Sequence, residues 1–439
     1  MIGAASGPAT ARPRPRLTAP VLVADVELAE SLSRASDLAT GLPTPDSHAR
    51  LLVRIHGHPL GTIDVSRDTL APRDLSAIVW SELAGPIRRH FETSHGRIVD
   101  EIPQAGFGRT GSDSCSWRAA VMEPVPSAAI VINTCAASES LVRAIKTALA
   151  QDYPDFRVVV VDNRPAGSGI PNLLAERFGG RHDIDYVSES APGLGRARNA
   201  GLAATGAEIV AFTDDDVVLD PSWLGWLVAG FGASDRVACV TGLIVPLELE
   251  VSAQLLIDEF SGFSKGYDRL IWDADAHRLD HPLYPYTVGI FGSGASAAFR
   301  RTTLVAIDGF DQHLGIGTPS VGGEDLDLFV RIVLGGNQIV YEPASLLRHA
   351  HRRDMRAFER QVRGYGTGLT AMLTKHVLSD RMTRWEVLGR IPAGFAYALS
   401  PRSPKNQRKP REFSLRLSLL EWAGMAYGPI GYLRSRLAG

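Results

Sequence analysis

The chain has 439 residues, 45% hydrophobic and 21% charged, a balance typical of packed globular proteins and a length that exceeds one ordinary core. Its formal net charge of -2 gives no overall basic bias toward nucleic acid. The three cysteines, Cys115, Cys135 and Cys239, form no CxxC pair, so neither a zinc site nor a disulfide framework is indicated, and a reduced cytoplasmic setting is expected.

Residues 1–18 contain no apolar core of signal-peptide length and read as a flexible tail. Residues 19–100 read as a small α+β unit. VLVADV (Val21–Val26) has strand composition, and RLLVRIHGHPLGTIDV (Arg50–Val65) predicts two strands turned around His56-Gly57-His58-Pro59. Ile78, Val79, Leu83, Ile87 and Phe91 recur at helical spacing. Nothing in this unit carries a catalytic pattern, and His56 and His58 are expected to be turn residues rather than ligands. Residues 101–125, rich in Gly, Ser and Pro, read as a linker.

Over 126–375 strands and helices alternate. AAIVIN (Ala128–Asn133) is a continuous apolar strand, as a sheet covered on both faces requires. A helix from Ser138 to Gln151 and the strand RVVVVDN (Arg157–Asn163) follow. Next come IDYVSE (Ile184–Glu189), the helix GRARNAGLAAT and the strand EIVAFT (Glu208–Thr213), which runs into Asp214-Asp215-Asp216. This alternation predicts an α/β fold with a mostly parallel sheet flanked by helices, whose ligands bind beyond the carboxyl ends of the strands. Asp162 and Asp214 fall at such ends.

Three adjacent carboxylates repel one another unless a cation sits among them, and a divalent cation there would neutralise a phosphate leaving group. A turn or helix cap explains the triplet equally well when it is taken alone. Gly193-x-Gly195 imitates a dinucleotide fingerprint, but the third glycine is replaced by Arg198 and the motif does not follow the first strand. In GGEDLDLFVR (Gly322–Arg331) two glycines precede Glu324-Asp325 at a helix N-terminus, where the dipole keeps a carboxylate ionised. These acids suit either a general base or a simple cap, while Asp327 reads as structural.

The succession VINT, AIKTALAQDYPDFRVVVVDN, GLGRARNAGL, AEIVAFTDDD, GSGASAAFRR and GGEDLDLFVR resembles the family 2 glycosyltransferases of GT-A fold over residues 127–355. The resemblance implies inverting transfer from a nucleotide-sugar donor with Mn2+ or Mg2+. The acceptor would be a glycan, a lipid-linked or a small-molecule hydroxyl, in cell-surface glycan, glycolipid or glycosylated-metabolite synthesis. It implies Asp214 and Asp216 as the metal-side arms, with Asp215 beside the donor, and Asp162 and Thr134 at the nucleobase. It further implies Arg198 near the diphosphate, Asp325 as base and Glu324 shaping the acceptor site. Relatives carry VDDGS where this chain has Val161-Asp162-Asn163-Arg164-Pro165, with UDP expected ahead of GDP. In HAHRRD (His349–Asp354), His349 or His351 would close over the metal, and Arg353 could touch phosphate.

Residues 376–439 read as a basic, amphipathic helical tail. From Arg381 onward eleven Lys/Arg stand against three Glu, an excess of eight positive charges. No stretch has the length of a membrane-spanning helix, so the tail either contacts an anionic membrane peripherally, on the inner face of the cell membrane, or packs on the catalytic domain. Two competing functions are a sugar nucleotidyltransferase and a non-catalytic carbohydrate-binding protein on a degenerate transferase fold. The first would want a Gly-rich basic loop after the first strand, where this chain reads Asn133–Ser140, NTCAASES.

Overall fold

The computed structural model describes residues 17–34, 38, 47–109, 115–121, 124–379, 381–400, 402–403, 406 and 414–438. Most of the expected 1–18 tail and of the basic 401–411 segment lies outside the described residues. The chain divides into two compact units, Met1–Ala119 with Glu248–Ser252, and Ala120–Leu247 with Ala253–Gly439.

In the first unit, β1 (Val21–Glu27) runs parallel to β2 (His48–Ile55), which pairs antiparallel with β3 (His58–Ser66). A helix, Pro72–His95, starts with a proline where no N–H is needed and stops at Gly96, whose φ of 58° is left-handed. Leu75, Val79, Leu83, Ile87 and Phe91 form its buried stripe against the sheet. Ile102 and Phe107, from the stretch read as a linker, join the same core.

The second unit carries one large sheet. Its strands are β4 (Ala128–Thr134), β5 (Phe156–Asp162), β6 (Ile184–Ser188), β7 (Ile209–Asp214), β8 (Val217–Leu219), β9 (Val237–Pro246), β10 (Leu270–Trp272), β11 (Ser296–Arg300) and β12 (Gln338–His349). They lie in the order β10-β12-β9-β11-β7-β4-β5-β6, with β8 paired to β12. The β6-β5-β4-β7 half is parallel, as the alternating pattern predicts. Beyond it the sheet is mixed, because β11 enters antiparallel between β7 and β9 while β12 runs parallel to β9. All seven residues of β4 are buried, as is the run Val158–Val161 in β5, so both faces are covered by helices. Ser138 starts the Glu139–Leu149 helix by accepting the Leu141 N–H at 3.1 Å. The registers Thr134↔Asp162 and Asn133↔Asp214 bring three strand ends to one edge.

Three long helices follow, Met355–Leu378, Arg381–Leu399 and Leu415–Ala438. The first and third meet backbone to backbone. A Cβ on Gly366 would lie 2.2 Å from the Glu421 carbonyl oxygen, and one on Gly424 would lie 2.1 Å from that of Arg363. Met372, Val387 and Tyr432 from these helices share a core with Leu314 and Val330 of the same unit. Among the described residues, no helix is long and apolar enough to cross a membrane.

An ion cluster locks this helical layer to the Glu324–Leu334 helix. The fully buried Asp327 lies 2.6 Å from Lys375, 2.8 Å from Arg331 and 3.2 Å from His376. Burial alone would raise its pKa, but His376, Lys375 and Arg331 hold the carboxyl well below its usual range. A depressed pKa means that this stabilisation is present at neutral pH and is lost as acid titrates the group. Asp327→Ala removes the carboxylate partner of Arg331 and leaves Lys375 with Asp311 alone, and should cost about 3–5 kcal/mol. Urea unfolding at neutral pH measures this, and a loss under about 1 kcal/mol would show that the cluster does not hold the layers together.

Candidate active site

The site is built where β4, β5 and β7 end. After Asp214 the chain turns through Asp215 and Asp216 into β8, and β8 pairs antiparallel with the end of β12, setting Val217 opposite His349. The Ala350 N–H donates to the Asp216 carbonyl at 3.0 Å, closing that turn. His349 therefore comes from a strand more than a hundred residues away, yet its Nε2 lies 3.3 Å from Asp216 and 3.8 Å from Asp214. The ligand atoms of Asp214, Asp216 and His349 all fall within 4.8 Å of one another.

The three aspartates divide. Asp215 turns away from this set and accepts the Thr134 hydroxyl at 2.5 Å. Burial, with Asp216 and Asp214 close by, pushes Asp215 up to about 6. Burial also raises Asp216, and Asp214 adds to this, against the pull of His349. For Asp214 burial acts upward, but His349 and Arg198 outweigh it and leave the group below its ordinary value. Burial opposes protonation of His349, yet the two carboxylates carry its pKa above the ordinary one. Two carboxylates and an imidazole gathered at repulsive range form an oxygen-rich donor set that fits Mn2+ or Mg2+. Phe263 stacks on His349 with ring centroids 5.8 Å apart and fixes its orientation.

Arg198 sits on the Leu194–Ala203 helix and is buried. Its Nη1 lies 3.1 Å from Glu324 and its Nη2 4.0 Å from Asp214. Gly294 admits it: a Cβ there would stand 2.6 Å from Nη1. Glu324 and Asp325 open the Glu324–Leu334 helix. Burial and the neighbouring Asp325 raise Glu324 to about 7 despite Arg198. Asp325 accepts the Gly294 N–H at 2.9 Å. Of the two glycines before these acids, Gly323 serves close packing, since a Cβ on it would lie 2.5 Å from the Gly368 carbonyl oxygen, whereas Gly322 would meet nothing nearer than 3.9 Å. Just ahead, Val321 holds φ at 62°, a strained position for a β-branched residue.

Asp162 is fully buried at the end of β5, with both carboxylate oxygens engaged by the chain itself. Oδ1 accepts the Arg164 N–H at 2.9 Å, and Oδ2 accepts Ser168 at 2.5 Å and Tyr186 at 3.1 Å. Those bonds fold the 164–168 turn. His351 lies beside Asp258, 3.7 Å away, rather than in the aspartate set. Sequence reasoning missed Arg352, 4.0 Å from Asp216, and Asn133, whose buried amide has no partner among the described residues. The HRRD run carried a signal for Arg352 without saying which arginine faces inward, and Asn133 had no signal beyond its place on β4.

The site thus combines strand-end acids, a buried arginine and an acid pair on a helix N-terminus at one end of a mixed sheet. Residues 129–301 match the family model described as "Glycosyl transferase family 2". Over this segment the chain is similar to the family 2 glycosyltransferases. It is 30% identical over 223 residues to the pre-mycofactocin glycosyltransferase of Mycobacterium tuberculosis, covering 50% of this chain and 43% of that protein. It is 21% identical over 215 residues to the glucosyl-dolichyl phosphate glucuronosyltransferase of Haloferax volcanii, covering 48% and 64%. Among solved structures it resembles the mannosyltransferase PcManGT from Pyrobaculum calidifontis, described in complex with GDP-Man and Mn2+, at 18% identity and a TM-score of 0.43 over 73% of this chain and 90% of that one. The chain spans less than two thirds of the length of these curated relatives.

Saturation with Mn2+ at about a hundredfold over its Kd should stabilise the protein by about 2.7 kcal/mol, read as a thermal shift. Asp216→Ala and His349→Ala should abolish that shift, whereas Asp215→Asn should retain most of it. Equal shifts in all four proteins would separate the metal from this set.

Proposed function

We propose that the second unit is an inverting, metal-dependent glycosyltransferase that moves a sugar from a nucleoside diphosphate, UDP ahead of GDP, to an acceptor hydroxyl. The acceptor is a glycan, a lipid-linked or a small-molecule alcohol. The observation that carries this reading is the convergence of Asp214, Asp216 and His349 with the Arg198–Glu324 pair at one end of the sheet. A divalent cation held by Asp214, Asp216 and His349 would supply charge neutralisation for the departing diphosphate. Arg198 and Arg352 add positive charge on the same side. Asp325, anchored to the Gly294 N–H, takes the proton of the acceptor hydroxyl. The acceptor oxygen then forms the new bond to the anomeric carbon from the face opposite the leaving group. The bond from that carbon to the diphosphate oxygen breaks, and its electron pair leaves with the nucleoside diphosphate. Glu324, neutral or paired with Arg198, shapes the acceptor side. Exposed Ile316 and Val321 offer it an apolar rim. Thr134 and Asp162 support the nucleobase end through Asp215 and the 164–168 turn.

Asp325→Asn should cut kcat for transfer by about a hundredfold to ten-thousandfold while leaving the donor-induced thermal shift in place. Screening UDP- and GDP-sugars with Mn2+ identifies the donor. An active Asp325→Asn enzyme would overturn the base assignment. Pyrophosphate release from a nucleoside triphosphate and a sugar phosphate would replace the transferase reading with a nucleotidyltransferase.

The proposal extends to an anionic membrane surface as a peripheral partner. On the Arg381–Leu399 helix, Met382, Trp385 and Phe395 are 84%, 64% and 64% exposed, and Arg381 and Arg384 accompany them. Aromatic and aliphatic side chains next to arginines suit the boundary between headgroups and acyl chains. In flotation with phosphatidylglycerol vesicles the protein should rise with the lipid, and the double variant Trp385→Asp, Phe395→Asp should stay behind. Equal partitioning of the two proteins would reject the contact.

A further inference from the structure

The first unit gathers four donor atoms that the transferase reading does not use. His56 sits in the turn between β2 and β3, His90 and His95 on the last turns of the Pro72–His95 helix, and Cys115 beyond it. Cys115 Sγ lies 3.1 Å from His95 Nε2 and 3.5 Å from His90 Nε2, and His90 Nε2 lies 3.3 Å from His56 Nδ1. All four atoms fall within 4.8 Å of one another. A tetrahedral zinc ion with bonds of about 2.0 Å to nitrogen and about 2.3 Å to sulfur sets its ligand atoms about 3.3–3.7 Å apart. The separations of 3.1, 3.3 and 3.5 Å fall at or near this spacing.

Hydrogen bonds among the four side chains do not account for the cluster equally well. His90 Nε2 faces both the His56 nitrogen and the Cys115 sulfur. One imidazole nitrogen has either one proton or one lone pair, so it can satisfy only one of these neighbours. A cation at the centre satisfies all four at once.

The surroundings are built to aim these atoms. His56 Nε2 lies 3.1 Å from the Gly108 carbonyl, which can only accept. That bond takes the ring proton and leaves Nδ1 with its lone pair toward the cluster, the outer support usual for a ligating histidine. The turn holding His56 is left-handed, with φ of 50° at His56 and 84° at Gly57. The Glu27 carboxylate maintains it by accepting the His56 and Gly57 N–H groups at 2.9 and 3.0 Å. His58 donates from Nε2 to the Cys115 carbonyl at 2.6 Å and so positions the thiol's backbone. His90 and Cys115 are buried.

We propose that His56, His90, His95 and Cys115 form a closed, tetrahedral Zn2+ site that fastens the β2–β3 turn, the helix end and the Cys115 segment together. The set contains no carboxylate, and three imidazoles with one thiolate favour zinc over Mg2+ or Mn2+. Four protein ligands leave no open position, so the ion is structural and its binding energy adds to the stability of the unit. The absence of a CxxC pair among the cysteines had argued against zinc, while His90 and His95, with four residues between them, fall within the H-x3–5-H spacing of zinc sites. The turn and the helix end bring them together only on folding.

The full chain, purified without a polyhistidine tag, should retain about one zinc ion per chain after gel filtration, measured by plasma mass spectrometry. Cys115→Ser and His90→Ala should lose it, while the double variant Asp214→Ala, Asp216→Ala should keep it. Cobalt exchanged into the wild-type protein should give the intense visible bands of four-coordinate Co2+ and a thiolate-to-cobalt charge-transfer band. His95→Cys should retain the metal and strengthen that band. Zinc below about a tenth of an equivalent, a pale six-coordinate cobalt spectrum, or loss of zinc in the aspartate variant instead would overturn the assignment. The wild-type measurements decide the matter even if a variant fails to fold.

Discussion

One buried positive charge sets the terms at the carboxyl end of the large sheet. Arg198 lies between Glu324 at 3.1 Å and Asp214 at 4.0 Å, over the Phe310 ring at 5.3 Å. Taking a guanidinium out of water is costly unless it is paired, so the acids on either side stabilise Arg198 as much as it stabilises them. Its placement joins two halves that the chain keeps far apart. Asp214 ends β7, and Glu324 begins the Glu324–Leu334 helix. A change of charge at either end is therefore felt at the other through one rigid side chain. Gly294 is required for this arrangement, because any larger residue would occupy the space of the guanidinium.

Much of this was legible in the sequence, for a definite reason. Continuous apolar runs such as Val158–Val161 can only be strands covered on both faces, and acids directly after such runs must collect at one sheet edge. Asp162 and Asp214 were found by that logic, whereas Glu324-Asp325 were read from the two glycines ahead of a helix N-terminus. What escaped was set by pairing between distant segments. The antiparallel entry of β11 leaves no local signature, since SAAFR would serve in either direction. The outward turn of Asp215 depends on Thr134, eighty-one residues earlier in the chain. The engagement of Asp162 by Ser168 and Tyr186 likewise follows from how β6 and the 164–168 turn close over it.

The glycine-rich helices after β12 show the same gap between pattern and packing. Leu, Trp and Tyr mixed with arginines suit a lipid surface or a protein interface equally. Gly366, Gly424 and Gly428 make the difference for two of the three helices, because each faces a backbone or hydroxyl at a distance no Cβ tolerates. Those helices are committed to each other, and through Lys375 and Asp327 to the helix that carries Asp325, while Tyr432 donates to Asp311. The tail, for which membrane contact and packing on the rest of the chain were both open, thus shares a core with Leu314 and Val330 through Val387 and Tyr432.

The two ion-binding sets differ in the way their chemistry requires. Asp214, Asp216 and His349 are partly exposed, with side chains 31%, 19% and 15% accessible, and offer mainly hard oxygen donors. Such a set exchanges Mn2+ or Mg2+ readily and leaves coordination positions for a diphosphate. The first unit's histidines and cysteine offer borderline-soft donors in a closed, largely buried ring, which suits an ion that never leaves. Donor hardness and access together sort the metals, so a catalytic cation that comes and goes and a structural one that stays can coexist in one chain without competing for the same site.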